Sequence, residues 1–295
     1  MLLLIVARMH SSAAKALVIC LPVFILLLGV AAWNPKENFW GGIEPPKAQC
    51  EAYDTTAVKT SAQLSPAIYS PVKINRLLRE PQNTLSNLPY TVVGLAVLLA
   101  GRRRLSQAFG IGCLFLSIGS GLYHASLLPE WRLVDILGVY VALFVLVAIG
   151  VDAVSGKTRN EGRELICGSV VWLAAFATGI HRNDIRFFGV KLFDSTYVVV
   201  IAVTLASLLA LFTYLKTKDY RRYYLALASL AIAAPIAIAG GLGDRFGGFL
   251  ASPDALIQGH SVWHSFGALG LLAAYEIFAS TGYDRSVFDR RPARI

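Results

Sequence analysis

Apolar residues in this chain fall into long runs separated by short polar stretches. The first run covers 16–33 (ALVICLPVFILLLGVAAW), and seven more cover approximately 84–101, 105–127, 133–153, 164–181, 195–215, 222–241 and 258–280. Each is about as long as a helix needs to be to cross ~30 Å of hydrocarbon. Strands of a membrane barrel would be shorter and would alternate strictly, so the runs predict helices. Familiar punctuation marks their ends: Gly101 precedes Arg102-Arg103-Arg104, and Gly240-Gly241 closes the 222–241 run. Residues 34–83 differ in kind. They hold prolines, lysines, glutamates and threonines with weak periodicity, and predict loops and short helices outside the membrane, ending near 77–80. The expected fold is therefore all-α and integral to a membrane, a seven-transmembrane helix bundle with an additional N-terminal hydrophobic helix. The expected divisions are 1–33 (hydrophobic helix, anchor or signal), 34–83 (extramembrane segment), 84–281 (seven-helix domain) and 282–295 (basic cytoplasmic tail). No internal repeat or low-complexity tract is evident.

Composition agrees. The chain is 56% hydrophobic and 15% charged, with a mean hydropathy of +0.58. A soluble domain of this length would need more polar surface to cover one core. The length of the first run, which follows Arg8 and Lys15, favours a retained anchor over a cleaved signal. The net charge of +9 does not point to nucleic acid, because the basic residues sit in short loops and no soluble basic domain exists to carry them. They report orientation instead. The loops after the first, third and fifth of the seven runs, together with the tail, hold fourteen Lys and Arg, and the opposite loops hold five. By the positive-inside rule the C-terminus is cytoplasmic and residues 34–83 lie outside. The four cysteines, Cys20, Cys50, Cys113 and Cys167, form no C-x-x-C pair, so neither a cysteine-rich metal site nor a redox motif is expected.

Candidate chemistry rests on histidine. Of five histidines, His124, His260 and His264 fall inside apolar runs. His260 and His264 stand four apart, which on a helix projects both imidazoles from one face about one turn apart. The charge-derived topology puts His124 near the outer end of the second span and the other two near the outer end of the seventh, so all three share one depth. Three histidines with an open fourth position are a common catalytic zinc arrangement. The ordinary alternative is three polar core residues bonded across helices. Ionisable groups within a membrane are costly, however, and usually functional. Ser120 lies one turn before His124, where its hydroxyl can meet a water or a developing oxyanion, or simply be a small residue at a helix contact. Asp135 lies at the outer start of the third span. A carboxylate there can take a proton from water or hold a ligand imidazole in its tautomer; the plainer roles are an N-cap or a partner of Arg132. Glu276, near the cytoplasmic end of the last span, reads as a pairing residue. His10 and His181 receive no role.

At these residues the chain resembles the alkaline ceramidase family, within the superfamily of seven-helix membrane hydrolases that also includes the adiponectin-type receptors and the Per1-like proteins. Four blocks carry the resemblance: Cys50-Glu51; Glu80-Pro81-Gln82-Asn83-Thr84-Leu85-Ser86-Asn87; Gly119-Ser120 through His124 to Asp135; and Gln258-Gly259-His260 with Trp263-His264. It spans about 50–280. It implies that His124, His260 and His264 bind Zn2+, that Asp135 is proton acceptor and donor, and that Ser120 stabilises the oxyanion. The implied reaction is cleavage of the amide of a ceramide or related N-acyl lipid into a sphingoid base and a fatty acid. The family's calcium site is matched at Glu51 and Glu80, but Ala48 and Tyr53 stand where Asp and Asn would be, so calcium is not expected. The expected partner is a membrane-embedded lipid substrate, with the zinc site toward the extracytoplasmic side. Two other readings use the same scaffold: a non-catalytic lipid receptor, and a hydrolase of another lipid bond such as an ester. A transporter is disfavoured, since no paired broken helices occupy corresponding halves.

Overall fold

A computed structural model describes residues 15–16, 18–22, 25, 78, 80–156, 160–180, 186–187, 190–191, 195–216, 231–233, 235–236, 239, 258–280, 283–284 and 287–288. Seven helices are resolved end to end: α1 (Pro81–Leu85), α2 (Leu88–Ala100), α3 (Arg104–Ser126), α4 (Pro129–Ser155), α5 (Glu161–Ile180), α6 (Ser195–Lys216) and α7 (Gly259–Ser280). Between α5 and α6 lies a two-residue antiparallel ladder of β1 (Arg186–Phe187) and β2 (Val190–Lys191), which pairs Arg186 with Lys191 and Phe187 with Val190.

Five stretches among the described residues are long and apolar enough to cross a membrane: Pro81–Ala100, Arg104–Ser126, Glu130–Ser155, Glu161–Ile180 and Gly259–Ala279. The 195–215 run is helical as expected, over Ser195–Lys216. Of the 222–241 run only 231–233, 235–236 and 239 are described, all helical; of the first run only 16, 18–22 and 25 are, also helical. The extramembrane segment lies outside the described residues except at 78 and 80–83, and the tail except at 283–284 and 287–288. Large apolar side chains point out of the bundle from several helices, among them Ile118, Leu165, Ile166, Leu173 and Leu215. In water such a surface would aggregate; in hydrocarbon it costs nothing.

Three helix starts differ by three or four residues from those expected, one of them being Glu161 in place of 164. The first span opens at Pro81 rather than 84, because proline is suited to the first turn of a helix, where its missing N–H loses no bond. Thr84 closes that turn, its N–H and hydroxyl both donating to Glu80 O at 2.8 Å. The helix then breaks at Ser86-Asn87 and restarts as α2, since Pro89 cannot donate back into a continuous helix. The third span likewise opens at Pro129 rather than 133. Asp135 is therefore inside α4 and is not its N-cap. Before it, Leu127 closes α3 in the left-handed conformation (φ 54), with its N–H bonded to Tyr123 O.

Small residues let the backbones meet. A Cβ on Gly138 of α4 would lie 2.5 Å from Leu116 Cα of α3, and one on Gly94 of α2 would lie 2.7 Å from Gly110 O of α3. Around these contacts Phe109 stacks on Tyr275 at 5.7 Å, and Tyr140, Leu146 and Ile149 are fully buried. Cys20 and Cys113 are buried free thiols, which pack as small apolar groups; Cys50 lies outside the described residues.

At the α2–α3 turn, Arg103 reaches both Glu164 (2.5 Å) and Asp152 (2.7 Å) and lies over the Tyr283 ring. Asp284 accepts the backbone N–H groups of Arg102 and Arg103. Glu276 accepts from Val287 N at 2.8 Å.

Candidate metal centre

The three intramembrane histidines meet. One ligand nitrogen from each of His124, His260 and His264 can be chosen so that all lie within 4.8 Å of one another. His124 Nε2 and His260 Nε2 are 3.1 Å apart, and the ring centroids are separated by 4.5–5.1 Å. His124 and His264 are buried and His260 is half-buried.

Local structure explains the convergence. α7 begins with a reciprocal cap: Gln258 N donates to Ser261 Oγ, Ser261 Oγ donates to Gln258 O, and Val262 N bonds Gln258 O. This fixes the first turn, which carries His260, and His264 follows one turn on along the same face. α3 delivers His124 just before its end. The segment ahead of α1 is tied there, with Glu80 N donating to His124 O at 3.0 Å.

Each of two imidazoles also has a partner on its other nitrogen. His124 Nδ1 lies 2.6 Å from Glu80 Oε2, which also accepts from Asn83 Nδ2 at 3.1 Å. Burial by itself would raise the Glu80 carboxyl. The hydrogen bonds it accepts, from His124 first and then from Asn83, outweigh that, and its pKa is held below the ordinary value. His264 Nδ1 lies 2.9 Å from Ser86 Oγ and 3.3 Å from Asn83 O. Glu80 is thus a carboxylate that holds one of the three imidazoles, a role the sequence analysis considered for Asp135.

Ser120 is fully buried one turn below His124, and its Oγ has no hydrogen-bond partner among the described residues. The close helix contact beside it is made by Gly119, where a Cβ would sit 2.8 Å from Val134 Cγ1. That contact brings Asp135, the next residue of α4, to the level of Ser120. Asp135 is half-buried and outside the ligating group, and its charge reaches the Tyr90 hydroxyl. Tyr90 in turn meets His264 edge-on, with centroids 6.2 Å apart. Sequence reasoning singled out the 80–87 block as a helix opening and did not see Glu80, Asn83 or Ser86 as neighbours of the histidines.

The donor set suits zinc. A tetrahedral ion bound at ~2.0–2.1 Å by imidazole places its ligand nitrogens about 3.3 Å apart, close to the 3.1 Å between His124 and His260. Three neutral imidazoles leave a fourth position open, and a second layer of carboxylate and hydroxyl stands behind two of them.

A bundle of apolar helices with a three-histidine cluster between them defines a membrane protein with a metal-ready centre in its interior. A family model described as Ceramidase matches residues 73–287, most of the chain and every residue of this site. The chain belongs to the ceramidase family. The functional class that comes with that membership is, in general terms, a ceramide-type hydrolase. No curated protein and no solved structure matches the chain.

Proposed function

We propose that this protein is a zinc-dependent intramembrane amidase that hydrolyses ceramide or a related N-acyl lipid to a sphingoid base and a fatty acid. The observation that carries the reading is the meeting of His124, His260 and His264 within one family's matched span. In this reading the three histidines are the metal ligands. A bound zinc ion supplies an acidified water near neutral pH and polarises the amide carbonyl.

The chain's own groups do the rest. Asp135 accepts the proton of the attacking water and passes it to the amine nitrogen as the C–N bond breaks, so the sphingoid base leaves neutral. Ser120, with a buried hydroxyl free to donate, meets the oxygen on which negative charge develops. Apolar helix faces around the centre seat the two hydrocarbon chains and keep bulk water out. The domain that does this is 84–281 with seven spans, and the 1–33 run adds an N-terminal helix. The topology is the one the loop charges favour, with the C-terminus cytoplasmic and the zinc site toward the extracytoplasmic leaflet.

The test is fatty-acid release from a panel of N-acyl sphingoid bases by purified protein, with His264→Ala alongside. Release by the native protein, lost on chelation, restored by zinc and absent in the variant, is expected. Full activity in metal-free protein would sink the reading. Bound zinc without release from any N-acyl lipid would favour the receptor or another lipid bond.

A further inference from the structure

One short segment reaches behind two of the three imidazoles, which come from different helices. Glu80 meets Nδ1 of His124 on α3, and Ser86 meets Nδ1 of His264 on α7. Counting hydrogens decides which nitrogen of each ring is left for a metal. Glu80 Oε2 already accepts from Asn83 Nδ2 and meets His124 Nδ1 as an acceptor, so the hydrogen between them belongs to His124 Nδ1. A serine hydroxyl has one hydrogen, and that of Ser86 is directed at Asn83 O, 2.8 Å away. What Ser86 Oγ turns to His264 is a lone pair. Asn83 O, the other oxygen near that ring nitrogen, also only accepts. His264 therefore carries its hydrogen on Nδ1, and its lone pair is on Nε2.

An ordinary capping role does not account for this geometry. Ser86 is the C-cap of α1, where its N–H bonds Gln82 O and its hydroxyl bonds Asn83 O. Those bonds use the Ser86 N–H and the hydroxyl's one hydrogen, and the contact with a ring 178 residues away is additional. The break between α1 and α2 is what turns the hydroxyl inward.

We propose that Ser86 is a positioning residue of the metal centre, which together with Glu80 locks the ligand imidazoles as Nδ1–H tautomers and aims their Nε2 atoms at one ion. The inference rests on the zinc reading above. It adds that residues 80–86 couple the α3 ligand to the α7 ligand, so that metal affinity depends on a segment that contributes no ligand.

The experiment measures zinc affinity of the purified full chain by competition with a chelating dye, and the visible spectrum of the cobalt-substituted protein. Ser86→Ala is expected to weaken zinc about 10- to 100-fold, as losing a partner behind a ligand typically does, and to shift the cobalt bands. Ser86→Thr, which keeps the hydroxyl, restores both. Should Ser86→Ala not be recovered folded, Ser86→Thr against its isostere Ser86→Val reads the same difference. Native affinity and a native cobalt spectrum without the hydroxyl overturn the proposal while leaving the zinc reading intact. A native protein that binds no zinc overturns both.

Discussion

Ser120 and Asp135 are the residues whose substitution separates chemistry from metal binding, because neither is among the ligating atoms. On the proposed mechanism, Asp135→Asn keeps the shape and removes the base, so it is expected to retain zinc while turnover falls about 10²- to 10⁴-fold. Metal content by elemental analysis beside turnover checks this, and loss of zinc would show that Asp135 holds the centre rather than serving it. Ser120→Ala is expected to cost about 10²- to 10³-fold in kcat with little change in zinc. An unaltered kcat would return Ser120 to the status of a small residue at a helix contact. His260 and His264 were legible as a pair because i, i+4 spacing is local. His124 was legible because loop charges set its depth. Glu80 and Ser86 were not, since from sequence the 80–87 block reads as a helix opening and nothing local marks a contact with a histidine. Their partners lie 44 and 178 positions away.

At the scale of elements, the decisive contact is the crossing of α3 and α4. A methyl group on Gly138 would press into the Leu116 backbone, which cannot swing aside as a side-chain end can. Gly138→Ala is therefore expected to lose about 1–3 kcal/mol, the usual cost of overpacking. It should also lower activity, because Gly119, Ser120, Val134 and Asp135 lie along the same crossing. Gly121→Ala is the control. Its Cβ would meet nothing within 4 Å among the described residues, and alanine is the better helix former by about 0.5–1 kcal/mol. Thermal unfolding in detergent should rank the two variants in that order; equal melting would mean the helices are not held at this distance. Helix existence here was plain from run length, but three starts were misplaced by three or four residues. Pro81 and Pro129 open helices that hydropathy alone begins at the next apolar residues.

At the scale of the molecule, two polar centres sit at opposite ends of α3. Arg103 anchors one and His124 the other, about 30 Å apart at 1.5 Å per residue. Breaking the buried Arg103 cluster with Arg103→Ala leaves Glu164 without its guanidinium partner and Asp152 with Arg163 alone. It is expected to cost about 3–5 kcal/mol, while the folded fraction keeps its zinc affinity. A joint loss of both would show that the two ends are coupled. For topology, a cysteine placed at residue 260 in a cysteine-free chain should be labelled by a membrane-impermeant reagent from the extracytoplasmic side only. Labelling from the cytoplasmic side would reverse the proposed orientation. The sequence by itself determined the solvent, the helical class and the depth of the three histidines. The first two depend on composition along each segment, since lipid rewards apolar length whatever surrounds it, and the third on the charges of the loops. Only the tertiary structure decided which nitrogen of each imidazole faces its neighbours and which groups stand behind them. Those contacts join residues far apart in the chain across helix crossings whose closeness is set by backbone sterics, and one-dimensional patterns carry no record of that.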